Sequence, residues 1–404
     1  MSSKNVLFFV RRFPVLSQTF VLNQIKDLKN EGMEVQVLSV NRNDNENSIS
    51  KDIFGDDETK NVVFILPEIN GMKSYTYAFL GFVFCLAAKE RHNLISLFWH
   101  FIKKKNLYLG KDLMCQTWFL RKKDITAENC VAHFGSNGVV MSYLIQAGLV
   151  KCRNLFTVFH GYEISRFDQL KLWKSLYGKM EGFLLPISEY WERQLISFGA
   201  DPAKIKVLHM GVDINRFSYS ERPIKHSISI LSVARATEKK GLIYAIEAVL
   251  KCPIECEYTI IGDGSLLETL KQVASRHKNS HRIIFEGAKP SDFVKDSLTT
   301  TDLFLLPSVR DTNGDMEGIP VSLMEAMASG VIVLSTIHSG IPELISDGAN
   351  GFLVPERDSD ALVQKICEIK NLANLNEIRR AARSTIEEKF NANKLSKELI
   401  AILK

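Results

Sequence analysis

Long apolar runs are scarce in this sequence. Across its 404 residues no uninterrupted stretch approaches the about 20 residues a helix needs to span a bilayer, so an integral membrane protein of that kind is not expected. The first apolar run, Val6 to Val10, stops at Arg11 and Arg12 and is too short for a secretory leader; it reads as a strand. The seven cysteines (85, 115, 130, 152, 252, 256 and 367) are odd in number, scattered and without C-x2-C spacing, which speaks for reduced thiols in a cytosolic setting and against a zinc site. No acidic D-x-D run is evident near a strand end, so neither a metal nor a cofactor is expected. Charge of one sign is also in short supply: 51 Lys and Arg against 46 Asp and Glu leave a net +5. That excess is too weak for a nucleic-acid partner, yet of the sign that favours phosphate ligands or an anionic membrane surface.

What is present fits a folded chain of two domains, since 404 residues exceed one ordinary core and 46% hydrophobic with 24% charged residues is globular composition. The most informative stretch runs from Asp311 to Gly330, DTNGDMEGIPVSLMEAMASG. The apolar run Leu303 to Pro307 before it predicts a buried parallel strand, and Val321, Leu323, Met324, Ala326 and Met327 behind it predict a helix. Pro320 suits the first helical position, where a missing N–H costs nothing, and Gly318 allows close backbone approach. Gly318, Ile319, Pro320 and Val321 thus build a helix start whose amides and dipole attract an anion, with Glu317 before the helix and Glu325 inside it. Amides for phosphate beside carboxylates for vicinal hydroxyls describe a site for a sugar nucleotide; the alternative is two glutamates on a solvated face.

Glu317-x7-Glu325 within EGIPVSLMEAMASG resembles the E-x7-E signature of the retaining glycosyltransferases of family 4, in their exopolysaccharide and colanic-acid branch. The opening RRFPVLSQTF is similar to the FP-x-LS-x-TF of that branch, where many other relatives carry a glycine-rich loop. Arg235 and Lys240 in ARATEKKG resemble the arginine and lysine of G-R-L-x-E-K-K-G, with Ala234 in place of the usual glycine. The stretch TIHSGIPELISDGANGFLVP also matches the family pattern, and the resemblance spans nearly the whole chain, most closely over 205–355.

The remaining elements fall into order around these motifs. Val6 to Val10, a helix with Ser17 as N-cap and Phe20, Val21, Ile25 and Leu28 on one face, a stop at Gly32 and a strand Val35 to Val40 make a β-α-β opening. Asn41 to Lys60 reads as a mobile polar loop. Tyr77 to Ala88 and Asn93 to Lys105 join apolar and aromatic faces to a basic tail; they suit either a membrane interface or packing on the first sheet. His133 and His160 end the short buried strands Cys130 to Phe134 and Leu155 to Phe159, at the edge where α/β ligands bind, and are catalytic or structural. Arg11 and Arg12 are acceptor-side candidates for an acidic or pyrophosphate-bearing group, or else surface charge. Leu184 to Ser188 predicts another strand, and Ile205 to Asp213 looks like the last strand of the first domain, with Asn215 to Lys225 as linker. In the second half Ser227 to Ala234, Tyr258 to Gly262, Ile283 to Glu286 and Val331 to Ser335 are strands. Gly262-x-Gly264 permits either ligand approach or a tight reversal.

The resemblance implies an α/β protein of the GT-B class, two Rossmann-like domains facing across a cleft. They cover 1–215 for the acceptor and 222–386 for the nucleotide sugar, with a C-terminal helix at about 387–404 packing back on the first. It implies transfer of a hexose-type sugar from a UDP- or GDP-sugar, with retention, to a glycan or polyprenyl-linked acceptor in bacterial surface polysaccharide biosynthesis. Arg235 and Lys240 then hold the departing diphosphate, Glu325 the ribose, Glu317 the sugar hydroxyls and His133 the sugar from the other side. The expected location is cytoplasmic, with attachment to the inner face of the membrane if Tyr77 to Lys105 lies in its interface rather than on the first sheet. An epimerase or phosphorylase on the same fold, and a non-catalytic homologue, are the competing expectations.

Overall fold

The computed structural model describes residues 5–15, 19–42, 61–67, 71–224 and 226–404. Two six-stranded sheets organise the chain, and every pairing between their strands is parallel. The first holds β1 (Asn5–Phe13), β2 (Glu34–Arg42), β3 (Val62–Phe64), β4 (Thr126–His133), β5 (Lys151–Phe159) and β6 (Phe183–Pro186), in the order 3-2-1-4-5-6. The second holds β7 (Ile228–Val233), β8 (Cys256–Ile261), β9 (Ile283–Gly287), β10 (Leu303–Leu306), β11 (Ile332–Thr336) and β12 (Phe352–Val354), in the order 12-11-10-7-8-9. Counted within its own domain the second order is again 3-2-1-4-5-6. Both sheets therefore reverse direction between their first and fourth strands, the place where doubly wound folds bind ligands.

Burial on both faces explains the strand sequences. Leu303, Phe304, Leu305 and Leu306 are all fully buried, with Leu303 and Leu305 packing on one side of the second sheet and Phe304 and Leu306 on the other. The sequence ends in two helices rather than one, Leu375–Lys389 and Ala392–Leu403. Ile378 packs in the second domain, whereas Leu399, Ile400 and Leu403 pack in the first, and Asn129 Nδ2 donates to the Leu403 carbonyl at 2.7 Å. The crossing occurs at Phe390 and Asn391, where the Asn391 side chain caps the second helix by accepting from the Asn393 N–H.

Four expectations are corrected. Ile205 to Asp213 is not a strand: Lys206 and Leu208 donate to the Leu184 and Pro186 carbonyls, but Pro186 has no N–H to return, so only the bridge at Ile205 closes on β6. Arg11 and Arg12 lie on β1, not in a loop after it, because pairing with β2 continues to Arg12↔Asn41 and Phe13↔Arg42. The same pairing takes Asn41 and Arg42 out of the polar loop, whose other residues, 43–60, fall outside the described ones, as does Ser17. Pro320, finally, precedes the helix Val321–Ala328 instead of opening it. Its φ of −64° is helical but its ψ of 124° is extended, and its carbonyl accepts from the Leu323 N–H.

Candidate functional site

The loops beyond the strand ends of the two domains pack against one another. Gly318 lies close against the first domain: a Cβ there would stand 2.5 Å from Ile187 Cδ1, which would have to shift, and 3.3 Å from the His160 carbonyl oxygen. The Phe167 N–H donates to the Asn313 carbonyl (2.9 Å) and the Met316 N–H to Ser165 Oγ (3.3 Å). Glu343 of the second domain accepts from the Glu189 and Tyr190 N–H groups (2.8 and 2.9 Å), the start of a first-domain helix, and from His209 Nε2 at 3.1 Å. A carboxylate at a helix N-terminus is placed where the dipole favours it.

On the second-domain side the site is a chain of charges. Asp311 Oδ1 accepts from the Asn313 and Asp315 N–H groups, folding the loop after β10 back on itself. The short helical turn Glu238–Lys240 ends at Gly241, whose φ is 63° and whose missing Cβ would lie 1.8 Å from the Pro307 carbonyl oxygen. Only glycine lets this turn lie on the end of β10. Lys239 is thereby set 3.2 Å from Asp315 and 3.5 Å from Glu317, and Lys240 2.9 Å from Glu317 Oε2. Burial by itself would raise the Glu317 carboxyl, but the Lys240 and Lys239 ammoniums outweigh it and hold the group at about 2. Behind it the Glu317 N–H donates to His338 Nε2 (3.0 Å), which leaves Nδ1 to carry the proton toward Glu356 Oε1 at 2.6 Å. Glu356 in turn accepts from the Arg310 N–H.

The other predicted residues of this half sit apart. Glu325, inside the helix, is not drawn into the lysine cluster; burial pushes it up to about 7, with Arg216 opposing. Among the described residues no side chain caps the helix start at Val321. Arg235 is exposed; its carbonyl accepts from the Thr237 N–H (2.8 Å), and its guanidinium is not part of the lysine cluster. Gly262 has φ 144°, and a Cβ there would be 1.9 Å from the Ala234 carbonyl oxygen, so loop-on-loop packing already requires glycine without a ligand. A D-x-D does occur at Asp358 and Asp360, but the first caps a helix through the Ala361 N–H and the second pairs with Lys251 at 2.9 Å.

The first-domain side is aromatic and nearly uncharged. His133 is completely buried, stacked on Phe8 and His160 with Phe20 across it, and its Nδ1 is 3.1 Å from His160 Nε2. Burial lowers His133 to about 3 and lowers His160 too, so both imidazoles are neutral. His133 Nε2 is a buried polar atom without a partner among the described residues. Phe134 follows with φ 74°, a costly conformation for a side chain of its size, and opens the helix Gly135–Gln146. Glu163, which sequence reasoning passed over, ties this corner together. Its Oε1 accepts from the His160 N–H (2.7 Å) and the Gly135 N–H (3.4 Å), and burial raises it to about 7. Arg11 is held by Asp112 at 3.0 Å, while Arg12 is exposed.

Two Rossmann-like sheets of the same strand order, joined end to end with the charged loop of one domain against the histidine pair of the other, form the GT-B arrangement. Residues 215–385 match the family of glycosyl transferases group 1. The chain is 34% identical over 415 residues to the protein assigned to colanic acid biosynthesis as glycosyltransferase WcaL in Salmonella typhimurium, covering 98% of this chain and 99% of that one. It is 35% identical over 415 residues to the amylovoran biosynthesis glycosyltransferase AmsK of Erwinia amylovora, covering 98% of each. Among solved structures, Anabaena HepE in complex with UDP superposes with a TM-score of 0.72 at 17% identity over 99% of both chains. The lipopolysaccharide outer core galactosyltransferase WaaB, in its apo form, gives 0.69 at 18% over 98% of this chain and 99% of its own. The chain belongs to the glycosyl transferases group 1 family and is a glycosyltransferase.

Proposed function

We propose that the protein moves a hexose-type sugar from a UDP- or GDP-sugar, with retention of anomeric configuration, onto a glycan or lipid-linked acceptor in bacterial surface polysaccharide biosynthesis. The observation that carries this is the Lys239, Lys240 and Glu317 cluster at an uncapped helix start, set directly against the His160 loop. Lysines beside free helix amides suit a diphosphate. A carboxylate held charged at about 2 accepts hydrogen bonds from sugar hydroxyls at any physiological pH. UDP in the HepE structure and polysaccharide biosynthesis in the WcaL and AmsK names support the same choice.

In the proposed reaction Lys240 is shared between Glu317 and the diphosphate, and Arg235, exposed and outside that cluster, closes on the diphosphate as its charge grows. The departing diphosphate takes the acceptor's proton on the face where the new bond forms. His133 offers Nε2–H to the sugar, the tautomer in which its Nδ1 accepts from His160, and Phe20 moves aside to open that contact. Glu325 accepts from the ribose hydroxyls. The cationic groups take the place of a metal. Incubation of the protein with UDP- and GDP-sugars and membrane-derived acceptor, followed by NMR of the product's anomeric proton, tests this. A product of inverted configuration, or turnover abolished by EDTA and restored by manganese, contradicts it.

A further inference from the structure

Between the two halves of the site runs a short segment, His338 to Glu343, that touches both. At one end His338 Nε2 accepts from the Glu317 N–H at 3.0 Å. At the other end Glu343 takes three donors from the first domain: the Glu189 N–H and His209 Nε2 on Oε2, and the Tyr190 N–H on Oε1. In the middle Gly340 is closed in from both sides, since a Cβ there would stand 2.9 Å from Ile319 Cγ1, just past Glu317, and 2.9 Å from Ser188 Cβ in the first domain.

The helix that Glu343 holds, Glu189–Ser197, is tied in turn to the histidine pair. Ser188, fully buried, is its N-cap and accepts from the Trp191 N–H at 3.3 Å. The Trp191 ring lies against Gly161, where a Cβ would be 3.3 Å from it, and Gly161 directly follows His160. From the same first turn the Tyr190 hydroxyl reaches Met316 Sδ at 3.6 Å, one residue before Glu317. Burial by itself would raise the Glu343 carboxyl, but His209 and the two helix amides outweigh it and hold the group below its ordinary value. A charged carboxylate that accepts from two amides at a helix start is a strong and directional contact. Domains of one chain move relative to each other unless their interface prevents it, so a contact of this kind fixes a geometry that packing alone leaves free.

We propose that Glu343 is a positioning residue for the sugar transfer: by clasping the helix Glu189–Ser197 it sets the His133 and His160 pair at a fixed place relative to Glu317, with His338 and Trp191 carrying the constraint to either side. The role rests on the reading that the second domain holds the nucleotide sugar and His133 meets the sugar from the first. Glu343 touches no substrate and acts by alignment alone, so its loss separates turnover from nucleotide binding. UDP or GDP needs only the second domain, whereas transfer needs both halves in register.

The test is Glu343→Ala in the full-length protein, with Glu343→Gln and His209→Ala beside it. Turnover of UDP- or GDP-sugar with membrane-derived acceptor falls by about 10- to 100-fold in Glu343→Ala, the scale of a misplacement of about 1 Å at the reacting centre. Affinity for UDP or GDP in a titration stays at the parental value, and small-angle scattering gives a larger radius of gyration. Glu343→Gln keeps one acceptor oxygen for the helix amides and recovers part of the turnover. His209→Ala removes one of the three donors and lowers turnover less; combined with Glu343→Ala it lowers turnover no further. Parental turnover and a parental radius of gyration in Glu343→Ala overturn the clasp. So does a loss of nucleotide affinity that matches the loss of turnover, the result a merely structural residue gives. A parent protein that binds neither UDP nor GDP contradicts the donor reading instead, and the radius of gyration of Glu343→Ala then decides the clasp by itself.

Discussion

The two halves of the site share one strand order but solve opposite electrostatic problems. The second domain gathers Lys239, Lys240, Asp315 and Glu317 into paired charges, whereas the first domain buries two neutral imidazoles among Phe8, Phe20 and Phe134. The difference extends to the carboxylates: Glu317 is held at about 2 by neighbouring ammoniums, while Glu163 and Glu325 are each pushed up to about 7 by burial. A ligand that arrives with its own negative charge needs a half already rich in cations. Neutral imidazoles lose little on being buried beside a ligand, whereas a buried carboxylate needs neighbouring cations such as those that Glu317 has.

The contrast is sharpened most by Glu317→Ala. Two nearly buried lysines then lose their shared carboxylate, and the expected destabilisation is about 3–5 kcal/mol, the range for breaking a buried pair. Urea unfolding at neutral pH measures it. A loss under about 1 kcal/mol, the value of a surface pair, would show that the cluster is solvated and the charge contrast overstated.

Glu325→Ala should weaken nucleotide binding by roughly 1.5–3 kcal/mol, as for a hydrogen bond involving a charged group, with the fold intact. Titration calorimetry with UDP and GDP reads this, and an unchanged dissociation constant removes the ribose assignment.

The first domain breaks in acid by a different route. His133 is lowered from 6.5 to about 3, so its neutral form stabilises the fold above pH 6.5 and that contribution is lost as pH falls through this window. The expected slope is about 1.4 kcal/mol per pH unit from this group. His133→Asn should flatten the acid limb of a stability profile; an identical profile shows that the imidazole is solvated. Glu325 and Glu163 act with the opposite sign, since their raised values cost stability as pH climbs from about 4.5 to 7.

The smallest effect is expected at Glu163→Gln. The amide keeps an acceptor for the His160 and Gly135 N–H groups, so below pH 7 stability should stay within about 0.5 kcal/mol of the parent, while Glu163→Ala should cost about 1–3 kcal/mol by orphaning both donors. Equal effects of the two substitutions rule out the positioning role.

Legibility followed the same division. On the second-domain side the proximity of Glu317 and Lys240 was legible because each lies in a short linear motif, whereas Glu325 and Arg235 of the same motifs stand apart from that pair. What escaped was the residues whose partners come from elsewhere in the chain. His338 and Glu356 support Glu317 from beyond its motif, and Lys239 was overlooked beside Lys240 although one turn aims both at the same carboxylate. In the first domain no motif singles out Glu163, and its role comes only from the fold, which brings the Gly135 amide to it. Ile205 to Asp213 misled for a local reason, because its apolar pattern is strand-like and the missing donor belongs to Pro186 on the neighbouring strand. Both sheets, by contrast, followed from buried runs that alternate with helices.

The most direct test is steady-state kinetics at saturating donor for Arg235→Ala, Arg235→Lys and Lys240→Ala. Charge on the diphosphate grows as the glycosidic bond breaks, so a cation aimed at it stabilises the transition state more than the bound donor. Turnover is predicted to fall by roughly 10²–10³, as on deletion of one oxyanion contact, with a smaller change in donor affinity. Arg235→Lys should fall nearly as far as Arg235→Ala, because the planar fork is lost with the charge retained. Unchanged turnover with only a raised Michaelis constant would contradict the leaving-group role of these residues.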